Sequence, residues 1–362
     1  MLEIPSSRNG WRLDVVSILA VLGESNIKIN AHLITASWTC LLPRLMPAPQ
    51  GLLAEKRMKQ LPYEDDVVVT GIKSGNKRSG LNYFASVIHG SGAFEGELSV
   101  QEYTIEWKGT SESIRPRTFN VFNLIAVGSF LLSVGLLVWS IVVGDGVAFM
   151  GIIIMSFATP FLCVGSKWTA GSLPKHRPNS ANLPDGDVAI RARNGAFVVV
   201  HCSEDVSRAL YFAPNDCHFA LSSWWARAIG GIAGGLTLTV SIILFGNSSW
   251  VMQAALAVSY AFLNVVYWSA SLVEQKHCWD LSDFDVRRTF VKSYPSFTEA
   301  VWQAIYLSGD TEWMAAGEAL PKTHAWNDWL REAQRNIDLR RADWDPRQAL
   351  IEIFQKNKTT AV

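Results

Sequence analysis

A chain of 362 residues, 49% hydrophobic with a mean hydropathy of +0.15, is too apolar for an ordinary soluble protein. With 18% charged residues it is also too charged to lie wholly in lipid, and a formal net charge of zero removes the electrostatic case for nucleic acid as a partner. Five scattered cysteines, an odd number, do not read as a disulfide framework, and a reducing, cytosol-facing location for most of them is the simpler reading.

Residues 1–62 read as a helical N-terminal segment. Two short apolar stretches, 13–22 and 31–42, fall short of a membrane span. The first places Val15, Ile18, Leu19 and Leu22 on one helical face, without a signal-peptide cleavage pattern. Residues 43–49 end this pair. Residues 63–118 read as strand-rich, with Val67–Val69 and the alternation of Leu98, Val100, Tyr103 and Ile105. The spacing from Gly75 to Gly80 is that of a phosphate loop, but Leu81-Asn82 stands where Lys-Ser/Thr is required. No side chain would then reach the outer phosphates, so it reads as a turn, as does Gly90–Gly96.

Two long apolar runs, 119–143 and 147–165, are separated by Gly144-Asp145-Gly146. Two more, 228–245 and 250–272, flank Gly246-Asn247-Ser248-Ser249. Each is close to the roughly 20 residues a helix needs to cross about 30 Å of hydrocarbon. Their unbroken apolar character is not the alternation of a barrel strand. The fold class expected is an α-helical membrane protein: four transmembrane helices in two hairpins (119–166 and 224–272), with a mixed α/β cytosolic portion. Trp168, Trp224, Trp225, Trp250 and Trp268 stand at run ends, where indole rings favour the headgroup layer. Lys and Arg precede the first span (Lys108, Arg115, Arg117), crowd the loop between spans two and three (Lys167, Lys175, Arg177, Arg191, Arg193, Arg208) and follow span four (Lys276, Arg287, Arg288, Lys292). The hairpin tips carry none, which places both termini and the central loop in the cytosol. The Asn247-Ser248-Ser249 sequon, held at the headgroup layer, is expected to stay unmodified.

The loop 167–223 carries a β-hairpin signal around Asn194-Gly195, with strands at 187–190 and 196–200 and a third at 208–212. These strands could pair with those of 63–118 in one cytosolic sheet. Residues 273–362 read as a helical cytosolic tail: a capping box from Ser296 to Glu299 precedes helix 300–307, and 323–341 and 346–356 follow.

Gly230, Gly231, Gly234 and Gly235 place overlapping GxxxG registers on the third span, where a neighbouring backbone can approach closely. The functional reading is a homodimer seam; packing within the chain is favoured. The spans hold Asn123, Gln253, Tyr260 and Asn264 but no ionisable acid or base, which argues against an ion-coupled transporter and leaves an oligomeric channel lined by Asn123, Gln253 and Asn264 as a third option. Three His-Cys adjacencies, His201-Cys202, Cys217-His218 and His277-Cys278, offer zinc-type ligands. No CxxC occurs, and neighbours on a strand point to opposite faces, so no metal or other cofactor is assigned and Cys202, Cys217, His218 and Cys278 stay weak candidates. Asp280, Asp283 and Asp285, with His277, suggest an Mg²⁺-diphosphate cluster beside a membrane. The favoured alternative there is a helix start capped by Ser282 or Asp283, with Arg287 and Arg288 as partners.

The stretches 263–268, 278–282 and 297–305, then Ala325-Trp326-Asn327-Asp328-Trp329-Leu330-Arg331-Glu332-Ala333 and Asp343-Trp344, resemble a group of fungal multi-span membrane proteins. The resemblance covers the last third of the chain. It implies the multi-span topology and a fungal origin, and brings no catalytic motif. The sequence thus points to a membrane-anchored interaction or scaffold protein. The lipid bilayer is its first partner, and an enzyme on a lipid-like or isoprenoid substrate is the alternative.

Overall fold

A computed structural model describes residues 23–53, 61–94, 96–108, 113–171, 185–341 and 343–360; the apolar stretch 13–22 lies outside them. In chain order, α1 (Glu24–Ala36) is followed by β1 (Glu64–Gly71), β2 (Lys77–Leu81), α2 (Tyr83–His89), β3 (Ser99–Trp107) and β4 (Arg115–Pro116). Then come α3 (Val121–Val143), α4 (Gly146–Val164), β5 (Trp168–Ala170), β6 (Val188–Ala192), β7 (Phe197–Cys202), α5 (Glu204–Ser207) and β8 (Cys217–Phe219). The chain continues through α6 (Trp224–Gly246), α7 (Trp250–Ser271), β9 (Trp279–Asp280) and β10 (Phe284–Ser293) to α8 (Phe297–Ser308), α9 (Glu312–Ala316), α10 (His324–Asp338) and α11 (Pro346–Thr360). These elements divide into two units, each woven from three stretches: Met1–Lys59, Ile114–Gly171 and Asp216–Asp280 form the first, and Gln60–Ser113, Ser172–Asn215 and Leu281–Val362 the second.

The first unit holds α3, α4, α6 and α7, of 23, 19, 23 and 22 residues, all long and apolar enough to cross a membrane. Glycine decides how two of them meet. A Cβ on Gly230 would lie 2.8 Å from the Phe161 carbonyl oxygen, and one on Gly234 2.5 Å from the Leu162 side chain; on the other helix, a Cβ at Gly151 would lie 2.7 Å from the Phe245 ring. Bare backbone at these positions lets α4 and α6 pack at close range. Leu136, Ile152, Met155, Phe245, Leu256 and Tyr260 fill the core between the four helices. At one end, Asp145 caps α4 by accepting the Ala148 N–H at 2.9 Å, and its other oxygen accepts the Ser249 N–H at 2.6 Å at the start of α7. At the other end two short antiparallel ribbons join the helix termini: β4 with β9, and β5 with β8.

Residues 43–49, expected only to end a helical pair, instead enter the helix bundle. Pro160 inside α4 has no N–H, so the Ser156 carbonyl loses its intrahelical donor. The Arg44 N–H supplies one at 3.0 Å, while the Thr159 hydroxyl donates to the Arg44 carbonyl at 3.0 Å and the Leu45 N–H donates to Ser133 Oγ at 2.8 Å. At roughly 1.5 Å per residue, Ser133 lies about 18 Å along α3 from Val121, and Ser156 about 12 Å along α4 from Val164. The chain then turns back, and the Ser166 hydroxyl donates to the Leu52 carbonyl at the foot of α4. Arg44, 1% exposed, folds its guanidinium onto the Thr39, Cys40 and Leu42 carbonyls of its own turn. Such irregular backbone is tolerated among apolar helices only when side chains and helix defects satisfy its polar groups.

The second unit is a six-stranded mixed sheet in the order β10-β3-β7-β6-β1-β2, in which only β3 and β7 run parallel. Strands from 63–118 and from the central loop share this sheet. So does β10, in a tail read from sequence as helical; the Asp280–Asp285 stretch expected to start a helix leads into a strand. Phe284, Val286, Phe290 and Val291 suit the pleated edge of β3, and β10 pairs along it from Phe284↔Trp107 to Ser293↔Ser99. On one face, Val100, Phe197 and Val199 pack against Val301, Ile305, Trp313 and Trp329 from α8–α10. On the other, the His89 ring of α2 meets Tyr103 edge-on at 4.8 Å. The stretch 208–212, expected to be a strand, continues the helical turn of α5. There Tyr211 is fully buried, its hydroxyl 2.8 Å from His89 Nε2.

Candidate functional site

The parallel pairing of β3 with β7 sets Thr104 opposite His201 and Ile105 opposite Cys202. Alternation puts Glu102, Thr104 and His201 on one face, the face that Val199 also uses. The segment before β6 returns beside them, held by an antiparallel bridge between Asp185 and Ser203. Gly186 allows this approach, because a Cβ there would lie 2.6 Å from Glu204 Cα. Where these strands end, an open pocket of about 660 Å³ is lined in part by Glu106, Trp107, Lys108, Asp187 and His201.

Asp187 organises the pocket floor. Its Oδ2 lies 3.0 Å from His201 Nδ1, and its Oδ1 accepts the Cys202 N–H at 3.1 Å. Glu102 Oε1 stands 3.2 Å from His201 Nε2, so both ring nitrogens face carboxylates. The Asp187 hydrogen bond, reinforced by the charges of Asp187 and Glu102, raises the His201 pKa above its ordinary 6.5 against the opposing pull of burial. An imidazole with both nitrogens engaged is a charged clamp rather than a free base. Cys202 turns away, its thiol donating to the Gly186 carbonyl at 3.3 Å, and burial raises its pKa, so it is no nucleophile here. At the pocket rim, Lys73 pairs with Asp185 at 2.5 Å and Lys108 with Asp285.

The other residues singled out in the sequence are dispersed. Asp280 lies on the β4–β9 ribbon of the first unit, opposite Arg115, whereas Asp283 and Asp285 belong to the second. Asp285 is bound by Arg287 at 2.6 Å and by Lys108, which together hold its pKa down at about 2. His277 is exposed at a short 3-10 turn. Cys217 and His218 occupy β8, Cys278 is buried beside β9, and Cys202 lies in the second unit; burial moves Cys217 up to about 12 and Cys278 to about 11. Among the described residues, no three His, Cys, Asp or Glu side chains converge as a metal site would require. The side-chain amides of the long apolar helices are engaged within the first unit: Asn123 accepts the Thr39 hydroxyl at 2.6 Å, Gln253 donates to carbonyls between α6 and α7, and Asn264 donates to Tyr260 O. Of the four glycines, a Cβ on Gly230 or Gly234 would meet α4, one on Gly231 would lie 3.7 Å from the Leu53 side chain, and one on Gly235 would meet open space. Asp187 and Glu102 were missed in the sequence; the one available signal was His201, read there only as a neighbour of Cys202.

No known family model matches the chain, nor does any curated protein or solved structure.

Proposed function

We propose that this chain is an integral membrane protein that crosses the bilayer four times in two hairpins and acts as an anchored interaction protein, with the second unit as its binding module. The observation that carries this is the outer surface of the four helices. Leu124, Leu131, Val138 and Ile141 on α3, Ile229, Ile232 and Leu236 on α6, and Val258, Phe262 and Val265 on α7 are all exposed. Water would not tolerate so continuous an apolar face, and hydrocarbon satisfies it. Asp145 tying the two tips, and the β4–β9 and β5–β8 ribbons tying the opposite ends, fit two hairpins entering from one side. Arg115, Arg117, Lys167, Arg227 and Lys276 gather at the ribbon end, as the positive-inside rule asks of a cytosolic face. Trp224 and Trp225, stacked at 3.8 Å and both exposed at the foot of α6, suit the headgroup layer.

The interaction reading draws on the second unit's pocket, where His201 is clamped and Cys202 is turned away, so its walls recognise by charge. Tags inserted at Asp145 and at Ser248 are expected to be accessible together from one side, and a tag at Val362 from the other. Accessibility of all three from one side overturns the four-span reading. For the binding role, proximity labelling from a fusion at Val362 should enrich a defined partner set that is lost on Lys108→Glu. Turnover of a lipid substrate by the purified protein alone would replace the interaction reading with the enzymatic one.

A further inference from the structure

On one side the six-stranded sheet ends in β10, which pairs with β3 alone. The Lys108 N–H donates to the Asp283 carbonyl at 2.9 Å, and the Tyr294 N–H to the Leu98 carbonyl at 3.1 Å. These two bonds fix the phase of the antiparallel ladder. Asp285 and Arg287, then Phe290 and Lys292, turn their backbone groups toward β3. Phe284, Val286 and Arg288, then Val291 and Ser293, turn theirs outward. Thr289 takes up the register shift between the two runs as a bulge, its hydroxyl donating to the Glu102 carbonyl at 3.3 Å. The side chains along this margin are uncovered as well: Arg288, Val291, Lys292 and Ser293 are exposed, Val291 by 56%.

An outward row of donors and acceptors is a template for a further strand, and charge decides which strand it accepts. β10 carries Arg287, Arg288 and Lys292 against a single carboxylate, Asp285. That carboxylate is spent on Arg287 at 2.6 Å and on Lys108. Lys292 Nζ lies over the Tyr294 ring at 5.1 Å, a contact that leaves its charge in place, and Arg288 forms no ion pair among the described residues. A second copy pairing antiparallel about the middle of β10 would set these cations against one another. The same charges that repel a like edge select an acidic one.

We propose that β10 is a docking edge for an extended acidic segment of a partner protein, which adds to the sheet as a further strand. The backbone of that segment bonds Val286, Arg288, Val291 and Ser293. Its carboxylates lie beside Arg288 on one face of the sheet and Lys292 on the other, because the bulge at Thr289 separates the two cations into opposite phases of the pleat. Arg288 shares a face with Tyr103, opposite to that of Thr104 and His201. The edge and the His201 pocket are therefore separate surfaces, and failure at one leaves the other standing.

The test uses the full chain in neutral detergent micelles, so it does not depend on the membrane reading. The probes are two fluorescein-labelled peptides of alternating glutamate and valine, one with ordinary amides and one N-methylated throughout. Fluorescence anisotropy should show saturable binding of the first and about tenfold weaker binding of the second, which has lost the donors a strand must offer. Arg288→Glu should weaken the first peptide about fivefold, by turning an opposite-charge cross-strand pair into a like-charge one. Val291→Pro removes an outward N–H and no bond to β3, and should weaken it as much with the circular dichroism spectrum unchanged. The proposal is overturned if neither peptide binds, if both bind equally, or if either variant binds as tightly as the unsubstituted chain. A dimer in sedimentation that Val291→Pro dissociates would also overturn it, by giving the edge to a second copy. Because the two peptides are compared on the unsubstituted protein, misfolding of a variant cannot account for that result.

Discussion

At the scale of single residues, His201 makes the stability of the second unit depend on pH. Its pKa is raised in the folded chain, so its charged contacts with Asp187 and Glu102 stabilise fully below the unfolded value near 6.5 and are lost as pH rises through the folded value. Hydrogen bonds to charged groups contribute about 1.5–3 kcal/mol when buried; with the His201 side chain 32% exposed, about 1 kcal/mol is the proper scale. Thermal unfolding of the second unit should therefore drop by about 2–4 °C more between pH 6 and pH 8.5 in the unsubstituted protein than in His201→Gln. Equal slopes would remove the clamp as a stabilising device, and a histidine NMR titration with its midpoint below 6.5 would contradict its charged state directly.

Among the elements, α4 is where sequence and structure part most instructively. The bounds of the long apolar helices were legible, because a run of about 20 apolar residues between polar breaks leaves little freedom: 119–143 became Val121–Val143, and 250–272 became Trp250–Ser271. What Pro160 does was not legible, since the carbonyl it frees is claimed by Arg44, more than a hundred residues earlier. In an ordinary helix interior, replacing proline with alanine stabilises by about 3 kcal/mol. Here the new N–H would compete for Ser156 O. Pro160→Ala should bring less than about 1 kcal/mol of that gain and should open the inserted segment to trypsin at Arg44, whereas a full gain with Arg44 still protected would show that the segment does not depend on the proline.

The glycines of α6 separate in the same way. Sequence gives the spacing but not which neighbour occupies the groove, and the structure assigns Gly230 and Gly234 to α4 while Gly235 faces open space. Gly230→Ala would press a methyl group against the Phe161 carbonyl and should destabilise by about 1–3 kcal/mol, as overpacking does. Gly235→Ala should be neutral to within about 0.5 kcal/mol. Unfolding midpoints of the two variants in detergent decide the point: if Gly235→Ala were the damaging change and also dissociated a dimer, the seam between copies would hold and the intrachain packing would not.

At the scale of the whole molecule, each unit is assembled from three separated stretches, and that is why the chain's local patterns described its parts better than their partnership. The strands of 63–118 and the Asn194-Gly195 hairpin were visible as alternation and turn chemistry. β10 was hidden in a tail whose later stretches are plainly helical, and its strand character rests on the β3 edge it pairs with. The His201 clamp has the same origin, because Glu102, Asp187 and His201 meet only once β3 and β7 lie side by side. A chain ended after Asp280 tests this dependence. It would lose β10, exposing the β3 edge, and α8–α11, exposing Val100, Phe197 and Val199. The helices 121–164 and 224–271 draw their packing from the first unit's own stretches and should keep their protease resistance. The stretches 64–107 and 188–202 should become rapidly cleaved. Resistance of those strands in the shortened chain would mean that the sheet closes its core without the C-terminal helices, contrary to the packing of Trp313 and Trp329 against it.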